Sequence, residues 1–169
     1  LGIPQPALSV DLGPSTNVRM LTFSNDGLAP VSARGTFVEP LTKMTIPIPS
    51  LPSLRVPPLS SGPVSARRTT LLRETANQSP VQAALAAISA VSTAPEAVKG
   101  EGEVDTIRYG SVLRARRLVG VRGAGRSYDG FYYVRKVTHV LERGQNPQYM
   151  QTFTLSREGT GSLVPVVRP

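Results

Sequence analysis

Histidine, cysteine and paired carboxylates are the side chains that most often carry catalysis or hold a metal, and this chain is poor in all three. It has one histidine, His139, and no cysteine, so neither a histidine cluster nor a thiolate centre can be built from it. His139 could be grouped with Asp129 and one of many serines as a base, acid and nucleophile, but no Gly-x-Ser-x-Gly or comparable nucleophile turn accompanies them. A half-buried structural role, on a strand face shared with Tyr133, Arg135 and Val137, fits His139 better. Glu101, Glu103 and Asp105 alternate with Gly102, Val104 and Thr106, which places three carboxylates on one strand face, the pattern of a charged surface more than of a cation site. Gly100-Glu101-Gly102 and Gly123-Ala124-Gly125 lack the strand-to-helix setting and the lysine of a phosphate loop. The sequence therefore predicts no enzyme, no metal, no cofactor and no small-molecule substrate.

The remaining chemistry is charge. Nineteen basic against eleven acidic residues give a formal charge of +8, and sixteen of the basic residues are arginine. The densest run is Arg108, Arg114, Arg116, Arg117, Arg122 and Arg126, with no Asp or Glu from Ile107 to Tyr128. Planar guanidinium groups suit carboxylate-rich protein surfaces and phosphates alike. Three readings stay open: a solvated strand edge charged against aggregation, a protein interface, or a nucleic-acid stripe. No helix-turn-helix, zinc module or RNP-like aromatic motif supports the last. The acidic face of Glu101, Glu103 and Asp105 could itself meet the arginine run.

The elements that must position these residues are mostly strands. The chain has 169 residues, enough for one ordinary domain or two small ones; 15 glycines and 16 prolines argue against a helical bundle. Aromatic residues are 5%, with no Trp. No run of 18 apolar residues exists, which excludes a spanning helix, and the first twenty residues do not resemble a signal peptide. Residues 1–16 read as an extended arm. Val18 to Ser24 alternates, Val18, Met20 and Thr22 on one face and Leu21 and Phe23 on the other, as in a strand covered on both sides. Asn25-Asp26-Gly27 is a turn, and Ala29 to Glu39 a second strand with a bulge or bend expected at Gly35.

Pro40 to Pro63 holds seven prolines yet keeps an apolar recurrence that includes Ile46, Ile48, Leu51, Leu54 and Val56. This predicts an extended arm lying along another surface, within the subunit or on a neighbour. Together, residues 17–63 form a β segment with a Pro-rich stretch. Residues 64–97 read as a connector followed by a helix, with Ser79 as N-cap, Pro80 at the first helical position, and Val81, Leu85 and Ile88 with Val91 or Ser92 as its apolar stripe. Residues 98–158 form a β-meander barrel, whose best strands are Val112 to Val121, Phe131 to Glu142 and Gln148 to Arg157. Tyr133, Val137, Phe153 and Leu155 are expected to be buried on a common side. Residues 159–169 form a tail. The fold class is mainly β: a small antiparallel barrel or sandwich with one short α-helix and extended Pro-rich arms.

Residues 109–157 carry a resemblance. The run YGSVLRARRLVGVRGAG, then YDGFYYVRKVTHVL and YMQTFTLSREG, resembles the phage late-control D proteins and the hub portion of VgrG-type spike proteins. The matching positions are Gly130, Tyr132 or Tyr133, Val134, Val137 and His139, closed by Tyr149, Phe153, Leu155 and Arg157. LTFSNDGLAP resembles the strand entering the family's hub domain. Asn146-Pro147 lengthens the last hairpin beyond the family's usual turn, and the oligosaccharide-binding domain and repetitive β-helix of a full spike are missing. The resemblance implies a structural baseplate hub of a contractile injection system. Such a hub is a homotrimer adapting the inner tube to a separate spike protein among other baseplate subunits. It would be assembled in the bacterial cytoplasm within a phage-tail-like particle and released with it. The alternative is a basic nucleic-acid-binding β-barrel.

Overall fold

The computed structural model describes residues 3–29, 31–38, 44–48, 58–65, 67–72, 82, 85, 89, 96–144 and 147–163. In chain order the strands are β1 (Gln5–Ser9), β2 (Val18–Asn25), β3 (Val31–Val38), β4 (Thr45–Ile48), β5 (Ser60–Pro63), β6 (Arg68–Leu72), β7 (Val98–Asp105), β8 (Leu118–Arg122), β9 (Gly130–Glu142), β10 (Gln148–Arg157) and β11 (Gly159–Ser162). The protein is mainly β, as its sequence predicts. Two units are separable, one of residues 1–25, 59–63 and 97–169, the other of residues 26–58 and 64–96.

The first unit is a six-stranded sheet in the order β1-β8-β9-β10-β7-β2, curled into a half-barrel. All neighbours are antiparallel except β1 and β8, which run parallel. A small β5–β11 ladder joins it, held because the Glu158 carboxylate accepts from the backbone N–H groups of Leu59 and Ser60. The core is Leu8, Val18, Val98, Val104, Tyr109, Leu113, Val119, Val121, Tyr132, Val134, Phe153 and Leu155. The residues read as an arm include β1, whose Ala7, Leu8 and Ser9 are buried. Asn17 pins the rim of β1: its Oδ1 accepts from Ser9 N at 2.8 Å and its Nδ2 donates to Ala7 O at 2.9 Å. On β2, Phe23 stacks on Tyr128 at 4.7 Å between centroids, bringing β2 to the loop after β8.

The inward positions of β7 are Val98, Gly100, Gly102 and Val104, while Glu101 faces solvent. Two glycines face inward because aromatic rings fill their places. A Cβ on Gly102 would lie 2.6 Å from Met20 O and 2.7 Å from the Phe153 ring, and one on Gly100 would lie 3.0 Å from the Phe23 ring.

Strict alternation fails at two one-residue irregularities. Between Val18 and Met20 the β2–β7 register shifts, so Val18, Leu21 and Phe23 share the core side. Met20 is 60% exposed, and β2 is not covered on both faces as expected. On β9 the register jumps from Lys136↔Thr154 to Val134↔Leu155. An extra residue at a bulge reverses which face the following side chains point to. Tyr132 and Val134 are therefore buried together with Val137 packed on the same core, and Tyr133 lies outside it, against expectation. Phe153 and Leu155 are buried as expected. The strand predicted over Val112 to Val121 begins only at Leu118.

The segment before β8 holds an element not anticipated, a one-turn helix over Thr106–Tyr109. Asp105 caps it by accepting from Ile107 N, and Gly110, at φ 68°, ends it in the left-handed conformation that suits glycine.

The second unit contains a three-stranded sheet, β4-β3-β6, with β3 antiparallel to β4 and parallel to β6. Gly35 pairs regularly with Ile48 and Leu72, so the bulge or bend expected there is absent. β6 lies in the segment expected to be a connector; its Arg-Thr-Thr-Leu-Leu takes strand form by pairing with β3. Of the apolar arm, Ile46 is 38% exposed on β4, Ile48 is in β4, and Leu51, Leu54 and Val56 lie outside the described residues. Most of the predicted helix does too. Gln82, Leu85 and Ser89 are helical and exposed, so Leu85, expected in the apolar stripe, faces water.

Candidate interaction surface

The six arginines of the dense run do not form one stripe. Arg108 is exposed on the one-turn helix and borders an open depression lined by Gly13 to Asn17. Arg122 closes β8 and is half-buried, its Nε donating to Ser9 Oγ at 2.7 Å. Arg126 is exposed in the loop between β8 and β9. Arg114, Arg116 and Arg117 are exposed together in the turn that enters β8.

That turn is fixed by backbone contacts, so its side chains are free to project. Arg114 N donates to Gln5 Oε1 at 2.6 Å, and Gln5 Nε2 donates to Arg114 O at 3.0 Å. Arg116 takes φ 64°, unusual for a residue with a side chain. It thereby reaches β9: Arg116 N donates to Val134 O at 2.8 Å and Val134 N donates to Arg117 O at 2.9 Å. Behind the turn, Gln151 is fully buried. Its Oε1 accepts from Leu113 N at 2.7 Å, and its Nε2 donates to Thr106 Oγ1 and Ser111 O at 2.9 and 3.1 Å. One side-chain amide thus ties the helix and the following loop to β10.

The acidic face does not meet these arginines. β9 and β10 separate β7 from β8. Glu103 pairs instead with Arg19 at 3.6 Å, the one ion pair among the described residues, and Asp105 serves as a helix cap. The three-residue cluster of Arg114, Arg116 and Arg117 is left facing solvent.

Two side chains of the matched segment take roles that residue types alone did not assign. Arg157 is fully buried. Its Nε donates to Gly159 O at 2.8 Å, Nη1 to Asp129 O at 2.9 Å and Nη2 to Ser127 O at 2.8 Å. Its guanidinium lies 4.3 Å from the Tyr132 ring centroid. Burial lowers its pKa, against the opposing pull of Tyr132, Glu158, Asp129 and Tyr128. It is a latch on the β8–β9 loop. His139 is exposed, not half-buried, with Nδ1 3.0 Å from Tyr149 Oη. Ten positions of chain, almost all β9, separate it from Asp129, roughly 30 Å at strand rise, and the Asp129 carboxylate accepts from Ala124 N. No triad is assembled there. Among the described residues no group of three His, Cys, Asp or Glu could hold a metal.

No family model matches the chain, and no curated protein matches it. Among solved structures, the tail protein from Neisseria meningitidis MC58 is similar at 14% identity with a TM-score of 0.48, over 90% of this chain and 44% of that one. The chain thus spans less than half the length of that protein.

Proposed function

We propose that this chain is a structural subunit of a phage-tail-like particle, a baseplate hub that trimerises and adapts the inner tube to a separate spike. It would assemble with other baseplate subunits in the bacterial cytoplasm. The observation that carries the reading is the turn of Arg114, Arg116 and Arg117. Three guanidinium groups are held out by a backbone anchored at both ends, with no carboxylate of the described residues paired to them. Such groups suit the acidic rim of a neighbouring subunit. The sequence resemblance over residues 109–157 supports the same reading, because its positions hold the half-barrel together: Tyr132, Val134 and Phe153 in the core, Arg157 as the latch.

The nucleic-acid alternative has less support. The arginines are dispersed over four places, and no described aromatic side chain is exposed beside them as a stacking platform. The test is assembly. The purified chain should elute as a trimer or within a larger particle, and changing Arg114, Arg116 and Arg117 together to Ala should weaken assembly while the isolated subunit keeps its β circular dichroism. A stable monomer that binds DNA with steep salt dependence, lost in the triple variant, would overturn the assembly reading in favour of the alternative.

A further inference from the structure

Two of the chain's four aspartates precede a glycine, in Asp26–Gly27 and Asp129–Gly130. Such a pair can close on itself, the glycine nitrogen attacking the aspartate side-chain carboxyl to form a five-membered imide. The nitrogen of glycine is the least shielded of any residue's, but the aspartate side chain must still fold over the following peptide and the backbone must still turn. The structure sets the two pairs apart on both counts.

Asp26 follows the last residue of β2, and Asp26, Gly27 and Leu28 are all exposed. Asp26 O accepts from Ala29 N at 3.1 Å, closing a turn, and Asp26 Oδ1 accepts from Leu28 N at 2.9 Å. The second bond curls the carboxyl back over the Asp26–Gly27 peptide, the side on which the ring closes. A Cβ on Gly27 would meet nothing within 4 Å, so the turn has room to rotate there.

Asp129–Gly130 is held at its amide, its carbonyl and its carboxylate. Asp129 N donates to Gly125 O at 2.8 Å, Asp129 O accepts from Arg157 Nη1 at 2.9 Å, and Asp129 Oδ1 accepts from Ala124 N at 2.8 Å. Gly130 is buried and paired with Val121 at the start of β9. A Cβ on it would lie 2.9 Å from Arg157 Nη1, so the same latch that holds the loop leaves this peptide no room to turn.

We propose that Asp26–Gly27 is a site of spontaneous backbone modification, at which the chain is rejoined through the aspartate β carbon, and that the fold protects Asp129–Gly130 from the same reaction. The Gly27 nitrogen bonds to Asp26 Cγ and gives up its proton, and the carboxyl hydroxyl leaves with a proton as water. Water then opens the imide at one of its two carbonyls. Opening at Cγ restores Asp26; opening at the main-chain carbonyl leaves a β-linked residue with its carboxylate on the α carbon. Nothing is oxidised or reduced, and water is the only co-reactant. The product carries an extra methylene in the backbone, which resets the turn of Asp26 to Ala29. β2 belongs to the first unit and Asp26 opens the second, so the change falls in a chain connection between them.

The test incubates the full chain in mildly acidic buffer made with ¹⁸O-water, which marks each imide opening by a gain in mass, and follows protease-derived peptides by chromatography and mass spectrometry. In the folded chain the Asp26 peptide should gain label and a β-linked isomer at least about tenfold faster than the Asp129 peptide. In urea the two should label at similar rates, because the local pairs are alike once the fold is gone. Gly27→Ala, which meets no neighbour, should slow labelling at Asp26 in the folded chain about tenfold by shielding the nitrogen. Equal labelling of the two peptides in the folded chain overturns the proposal. So does a difference that persists undiminished in urea, which would make it a property of the flanking residues and not of the fold.

Discussion

Arg157 is a buried cation with no ion pair among the described residues. A guanidinium is acceptable there because three of its N–H groups reach carbonyls and its face lies on Tyr132. Replacement by Met would leave three carbonyls without their donor, and we expect a loss of about 3–5 kcal/mol in urea unfolding. Lys should rescue little of it, since one ammonium cannot span three divergent acceptors. Tyr109 makes a second residue-scale prediction. It donates to Pro6 O at 2.7 Å, and burial raises its pKa from 10.0 to about 12. The unfolded tyrosine ionises first, so the unfolded state binds fewer protons between those values. The contribution is full below pH 10 and is lost as pH rises to about 12. Urea midpoints should therefore fall between pH 10 and 12, and Tyr109→Phe should flatten that fall. Burial raises Tyr132 in the same direction, so some slope should persist in the variant.

At the scale of elements, single residues decide how strands and loops meet. Gln151→Leu keeps the bulk but strands Leu113 N and Ser111 O, for an expected cost of about 2–4 kcal/mol. Amides of residues 106–113 should then exchange faster before the sheet itself does. Gly102→Ala would drive a Cβ into Met20 O and the Phe153 ring. Backbone cannot move aside as a side-chain tip can, so roughly 2–3 kcal/mol should be lost on thermal unfolding. Strand existence was legible in the residues of β2, β3, β9 and β10, because alternating apolar types and glycine turns act locally. Strand facing was not. The β2 and β9 irregularities leave no clear local mark, since each is set by the register a neighbour imposes. That is why Tyr132 is buried where Tyr133 was expected. The cap and stop of the one-turn helix, Asp105 and Gly110, are present in the sequence, but a single turn between two strands is too short to show a helical periodicity.

Over the whole molecule the two units differ in how their strands are paired. The first has a continuous apolar core, with β7 and β10 paired on both sides within a six-stranded sheet. In the second, β4 and β6 are the outer strands of a three-stranded sheet. Native-state hydrogen exchange on the isolated chain should therefore find amides of β4 and β6 opening at lower free energy than those of β7 and β10. Equal protection would sink that expectation. Composition and local pattern were enough to establish a β protein with surplus arginine, few groups suited to catalysis, and a C-terminal meander, because glycine, proline and side-chain alternation constrain the backbone within a few residues. Only the folded chain decided that the N-terminal segment enters the sheet as β1, that the acidic strand and the arginine turn lie strands apart, and that Arg157 is interior. Each of those depends on pairing between residues many tens of positions apart, and such pairing is set by which edges and cavities remain when the rest of the sheet has formed.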